Sequence, residues 1–323
     1  MRLNLLLALI SLSILKSVSG QDVPIYNNFH NNPYFYNPSF AGAKKKSELT
    51  VLYRQQWTGL QDAPKFTNLT FTAPIRNLGF GVNIHNTSRG IIVTSSALMS
   101  FSYRVPFSQT SGLSFGLSAG AGRNTLDGNQ VDANDPVVAR ALNNSYFFEG
   151  QAGLNFQFKE LVIGFSMPHL FDRNLIDSKS LQSIDLNPLS ATVSSIRYKM
   201  NLSKSISFEP IVLMKSNPTT NQLEGYGTFR YKDMIWLGGL YRQNYGASAL
   251  VGFQINNFLQ LGYAYEFATN QISEFNFNTH EFNLSVQLGK EAKASTPKKP
   301  RKSYNSVPSY KRTNHYRKTQ HIR

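Results

Sequence analysis

Few side chains in this 323-residue sequence have the chemistry of a catalyst. An acyl-transfer site needs a Ser or water nucleophile, a His base and an orienting carboxylate. Between the first twenty residues and residue 290 the histidines are His30, His85, His169 and His280. Ser88, Ser273, Glu274 and Glu281 fall near His85 and His280 along the chain, but their spacing defines no triad. Asp132-Ala133-Asn134-Asp135 sets oxygen ligands at calcium-like intervals, yet lacks the glycine turn and distal Glu of a calcium loop. Gly79-Phe80-Gly81 and the stretch Gly116 to Gly122 follow strand alternation and precede no helix, so they do not read as a phosphate cradle. With no cysteine, thiolate zinc sites, iron–sulfur ligation, disulfides and thiol catalysis are excluded. The reading is of a non-enzyme with no cofactor and no metal. The side chain that stands out is Arg54, whose position in an alternating segment turns its guanidinium toward the polar face. There it would meet an acid such as Glu149, Glu209, Glu224, Glu266 or Glu281 in a structural ion pair.

The charge balance is uneven. The 33 Lys+Arg against 18 Asp+Glu give +15, the balance of a nucleic-acid binder if spread over one folded surface. However, residues 290–323 hold eleven Lys/Arg and one acid, Glu291, and residues 1–20 hold Arg2 and Lys16, which leaves about +3 on residues 21–289. Arg2, the apolar run from Leu3 to Leu15 and the small residues Val18, Ser19 and Gly20 read as a secretory signal peptide cut before Gln21. No cysteine follows that point to carry a lipid anchor, and no later run reaches eighteen apolar residues, so a membrane helix is not on offer. A closed barrel remains the other architecture that satisfies every backbone polar group in lipid.

The period along the chain is two. In Leu113 to Ala121 every odd position is apolar and every even one is Ser or Gly. From Ile91 to Val105, the residues Val93, Ala97, Met99, Phe101 and Tyr103 share a face opposite Thr94, Ser96, Ser100, Ser102 and Arg104. Strands are expected near 48–57, 66–74, 78–87, 91–105, 111–122, 146–158, 160–167, 189–200, 205–215, 222–232, 234–242, 246–255, 258–267 and 279–288. That is an even number, as single-chain bacterial barrels require. The connections after odd strands, including 58–65, 123–145, 168–188 and 268–278, are generally longer than those after even strands. Long outer loops alternating with short periplasmic turns place both chain ends in the periplasm. Trp57, Phe66, Tyr103, Phe107, Phe158, Tyr241 and Phe267 lie at strand ends, where interface girdles form. A soluble sandwich or propeller would also alternate, but rarely runs so many strands in one meander. The fold class is therefore all-β: a transmembrane antiparallel barrel of about fourteen strands in contact with membrane lipid, its lumen packed and polar.

Four parts follow: residues 1–20 as leader, 21–47 as a rim or plug segment, 48–289 as the barrel, and 290–323 as a basic tail. In the second part, the Asn-Pro pairs at 32–33 and 37–38 impose extended or turn backbone and argue against a helix. Its aromatics Phe29, Tyr34, Phe35, Tyr36 and Phe40 would fold under or into the barrel.

Asn32-Pro33-Tyr34-Phe35-Tyr36-Asn37-Pro38-Ser39-Phe40-Ala41-Gly42, then Tyr53-Arg54-Gln55-Gln56-Trp57-Thr58-Gly59 and Ala63-Pro64, resemble the PorP/SprF family of Bacteroidota outer-membrane proteins. The resemblance continues through Leu78-Gly79-Phe80-Gly81-Val82 and Asn134-Asp135-Pro136 to the final strand. It implies an outer-membrane barrel of the type IX secretion and gliding machinery, with secretion components as partners, that helps secrete or attach adhesins by way of a secreted C-terminal domain. Arg54, Trp57, Asn134, Asp135 and Pro136 are candidate partner-binding residues on this basis. The tail departs from the family pattern. Lys298, Lys299, Arg301, Lys302, Lys311 and Arg312, interleaved with tyrosines, would suit RNA in a cytoplasmic protein. Export rules out nucleic acid, so the tail is expected to meet a periplasmic ring subunit or peptidoglycan. The reading from a different class is a pore or transporter for a small or hydrophobic solute.

Overall fold

Because side chains alternate across a strand, a wall that turns every second apolar residue outward must turn the intervening polar residues inward. The computed structural model describes residues 26–126, 145–171, 191–218, 220–243, 245–256, 258–267 and 278–291. Its strands are β1 (Ser47–Gln55), β2 (Lys65–Ile75), β3 (Leu78–Arg89), β4 (Ile92–Pro106), β5 (Ser111–Leu126), β6 (Ser145–Phe158) and β7 (Leu161–Met167). Next come β8 (Thr192–Tyr198, resumed as Met200–Asn201), β9 (Ile206–Ser216), β10 (Asn221–Tyr231), β11 (Ile235–Arg242), β12 (Gly246–Ile255), β13 (Leu259–Glu266) and β14 (Thr279–Leu288). Each pairs antiparallel with the next, and β14 returns to β1 in a ladder from Ser47↔Leu288 to Gln55↔His280, closing a fourteen-stranded barrel.

The faces follow the dyad. On β4 and β5, Phe101 and Leu117 pair across the ladder and are each 64 % exposed. Their neighbours Ser100, Ser102 and Ser118 are buried. The described surface carries a belt of large apolar residues, among them Met99, Leu154, Ile163, Leu237, Phe253 and Phe282, while Ser, Thr, Asn and Glu point inward. This is the distribution of a barrel whose solvent is lipid.

Three details differ from the sequence reading. β3 runs on to Arg89 and β4 begins one residue later than expected, at Ile92, so their connection is only the two residues Gly90-Ile91, with Gly90 at φ 57 where a tight hairpin needs positive φ. β5 continues to Leu126, its last four residues still in register with β4. Phe66 belongs to no outer girdle: it is 6 % exposed and faces the lumen, on the same side of β2 as Asn68 and Thr70. Tyr103, Phe107, Phe158, Tyr241 and Phe267 do lie exposed on the outside, and Trp57 sits half-buried on the rim.

An arginine at the lipid-facing position Leu117 should lower stability by about 2–4 kcal/mol if that position lies near the bilayer midplane. Urea unfolding of Leu117→Arg in lipid vesicles, beside the inward change Ser118→Ala with a much smaller effect, checks this.

Candidate functional site

Residues 26–42 occupy the lumen. All of 26–32 and 34–39, together with Ala41, are buried. The two Asn-Pro steps shape this segment as the sequence requires, with Asn32 at φ −134 and Asn37 extended at φ −139, ψ 108. The expectation of no helix needs one correction: each proline opens a single 3-10 turn, Pro33–Phe35 and Pro38–Phe40, since its fixed φ suits a first helical position. The Asn37 side chain caps the second turn, accepting from Ser39 N at 3.0 Å, and its amide donates to the Leu154 and Phe165 carbonyls on β6 and β7.

Further polar contacts fix the segment. Asn32 Nδ2 donates to Thr70 Oγ1 at 2.8 Å, and Tyr34 Oη lies 2.7 Å from Ser100 Oγ. Asn155 Nδ2 donates to Ser39 Oγ at 2.9 Å, and Ser102 Oγ donates to the Ala41 carbonyl at 2.7 Å. Lys44 Nζ donates to the Asn31 carbonyl, so the segment doubles back on itself. The wall makes room with glycine: a Cβ at Gly79 would overlap the Ala41 carbonyl, and one at Gly116 would overlap the Pro38 backbone. The Leu78-Gly79-Phe80-Gly81-Val82 motif is therefore a close-approach surface for the plug. Burial, reinforced by Arg230, Arg197 and Lys44, pushes the His30 imidazole well below its usual range, so it packs as a neutral ring beside Trp236.

An ion network clamps the start of this segment. Arg54, 1 % exposed, reaches Glu266 at 3.0 Å and Glu281 at 3.2 Å. Arg242 joins Glu266 and Glu224, both at 2.9 Å, and Lys215 meets Glu224 at 2.8 Å. Three cations thus balance three carboxylates, the arrangement that buried charge demands. Glu281, 0 % exposed, also accepts from Asn27 N, Asn28 N and Asn28 Nδ2, the last at 2.7 Å. Arg242 donates to Asn27 Oδ1, Tyr226 to the Tyr26 carbonyl, and Lys215 to Tyr36 Oη. The wall's charges and the plug's backbone are one hydrogen-bonded unit.

Of the residues singled out from sequence, Arg54 is inside this unit, so its guanidinium is not on the surface offered to a partner. Trp57 lies at the mouth (φ 48), its N–H donating to Thr279 Oγ1 at 3.3 Å. Thr58 N bonds the Asn278 carbonyl and Gln56 Nε2 bonds Tyr245 Oη, so the Arg-Gln-Gln-Trp-Thr-Gly motif ties the β1 rim to two other connections. Asn134, Asp135 and Pro136 lie outside the described residues, as do Lys298, Lys299, Arg301, Lys302, Lys311 and Arg312. His85 packs inward against Phe35, whereas His280 is on the outside against Tyr263 and Tyr265, so the two candidate bases lie on opposite faces of the wall. Among the described residues no His, Cys, Asp and Glu cluster forms a metal site. Arg242 and Lys215 were not anticipated. Arg242 was legible, because the short turn after β10 sets the register that puts Glu224 opposite it.

Fold and lumen together define a plugged membrane β-barrel. The sequence matches the family described as type IX secretion system membrane protein PorP/SprF over residues 18–286, and the chain belongs to that family. No match is found among curated proteins. Solved structures similar to it include the outer-membrane protein Omp33 of Acinetobacter baumannii, 8 % identical over 76 % of this chain and 100 % of that one, with a TM-score of 0.48. The monoaromatic hydrocarbon channel CymD is 10 % identical over 84 % and 96 %, with a TM-score of 0.49. The toluene transporter TodX of P. putida is 10 % identical over 81 % and 95 %, with a TM-score of 0.48.

Replacing Glu281 by Gln leaves Arg54 without one of its carboxylates and the Asn27 and Asn28 N–H groups with a weaker acceptor. A loss of roughly 3–5 kcal/mol in equilibrium unfolding is expected, the cost of breaking a buried pair. Gly116→Leu should expel the plug by overlap alone. Both variants are expected to raise ion conductance in planar bilayers and to expose residues 26–42 to protease.

Proposed function

We propose that this protein is a non-enzymatic outer-membrane component of the type IX secretion machinery that supports secretion or surface attachment of adhesins through its outer loops. The observation that carries this reading is the filled lumen. A pore for small or hydrophobic solutes needs a path, and here the route is taken by residues 26–42, bonded to strands around the wall. A plugged barrel still presents a rim and loops, and the rim around Trp57 is knitted to the connections before β12 and β14.

The longer connections after odd strands form the proposed outer face, with 127–144, including Asn134, Asp135 and Pro136, and 168–188 as the contact surface for an adhesin C-terminal domain. Both chain ends then lie in the periplasm. There the eleven basic residues of 290–323 would dock a periplasmic ring subunit or peptidoglycan.

Two measurements separate the readings. Wild-type protein in liposomes should show no size-dependent solute flux, and co-purification from native outer membrane should recover an adhesin through its C-terminal domain. Substantial flux with no such partner would overturn the proposal in favour of the pore. For the tail, a chain ending at Gly289 should lose its periplasmic partner in pulldown, and high salt should weaken the full-length interaction. Unchanged recovery in both would remove that role.

A further inference from the structure

The turns at one end of the wall repeat a pairing that the secretion role does not use. After β2, β6 and β10, a large outward residue is followed at once by a cation in left-handed backbone: Ile75 by Arg76 (φ 57), Phe158 by Lys159 (φ 53), and Tyr231 by Lys232 (φ 50). A left-handed φ is uncommon at a residue with a long side chain. Its recurrence at the first position of three hairpin connections puts three cations just past the edge of the apolar belt. The Lys159 ammonium stands 5.7 Å from the Phe158 ring centre, and that of Lys232 stands 5.3 Å from Tyr231. One further connection and the end of the last strand resemble these at the same end, with Leu202 and Lys204 after β8, and Leu288 closing β14 ahead of Lys290. All five cations are exposed. The same turns hold Glu160, Asp233 and Glu291, of which Asp233 has Lys199 at 3.5 Å.

We propose that this rim binds the phosphate groups of anionic phospholipids in the leaflet at that end of the barrel. Each apolar or aromatic residue stays at the hydrocarbon edge, and the cation beside it extends along that anchor to the depth of the phosphodiester. A ring of such pairs gives the wall a preference for negatively charged headgroups, because each Lys or Arg near an anionic surface adds to the attraction. The inference rests on the barrel lying in a membrane and is independent of any adhesin.

The test uses full-length protein in detergent with equimolar phosphatidylglycerol and phosphatidylcholine, bound lipid being counted by native mass spectrometry. Wild type should retain phosphatidylglycerol about tenfold over phosphatidylcholine, given several cations per site. In R76Q/K159Q/K204Q/K232Q/K290Q the ratio should fall toward one, while K65Q/R89Q, changed at the opposite end, should keep it. Folding of each variant is checked by its heat-modifiable gel mobility. Should the fivefold variant not fold, R76Q/K159Q/K232Q is read the same way. Equal retention by wild type overturns the proposal, and so does an enrichment that survives the substitutions, as it would if residues 292–323 carried it.

Discussion

Lipid offers the backbone no hydrogen bonds, and the rest of this structure follows from that constraint. Every strand must be paired on both edges, so β14 has to return to β1. The outer side chains must be apolar, so the polar complement of fourteen strands is driven inward, where bare carboxylates and guanidinium groups would be costly without partners. The lumen answers with a balanced set of charges and with a length of the chain's own backbone. Glu281 shows the coupling: one carboxylate serves an arginine on the neighbouring strand and three N–H donors of the plug.

The plug also explains why the inner face is not uniformly polar. Leu52, Ile211, Leu213, Leu240 and Leu250 point inward and are buried with Tyr26, Phe29, Phe35 and Tyr36 in one apolar cluster. Phe35 meets Phe66 edge-on at 5.4 Å and Tyr36 at 4.9 Å. The plug segment therefore acts as the barrel's hydrophobic core in miniature, several of its aromatics gathered with these inward aliphatics and its asparagines bonded to polar groups of the wall.

Much of the barrel was legible from the dyad alone, because lipid on one side enforces alternation more strictly than water does. Strand edges at 246–255 and 279–288 match those expected. Ile91 and Phe66 show where alternation fails. β3 ends in Asn86-Thr87-Ser88-Arg89, polar on both faces, so its last turnward residues read as loop although the hairpin itself is only Gly90-Ile91. Phe66 is as apolar as any lipid-facing residue, and only the aromatic segment packed beneath it makes the inner side the better place. The inward direction of Arg54 could be read from its parity, but its pairing with Glu281 joins the first strand to the last, which no local turn specifies. The Glu224–Arg242 pair lies across one hairpin and could have been found.

The contact between Asn27 and Glu281 spans 254 positions of sequence. Asn27 and Asn28, which precede every strand, acquire this partner only when β14 is in place. Loop-closure entropy of that size must be met before those bonds repay it, which makes assembly slow and leaves the unfilled wall exposed in the meantime. Seating of residues 26–42 and closure of the wall are thus coupled events in time, and a chain halted before its final hairpin would have neither a complete cylinder nor a seated segment inside it.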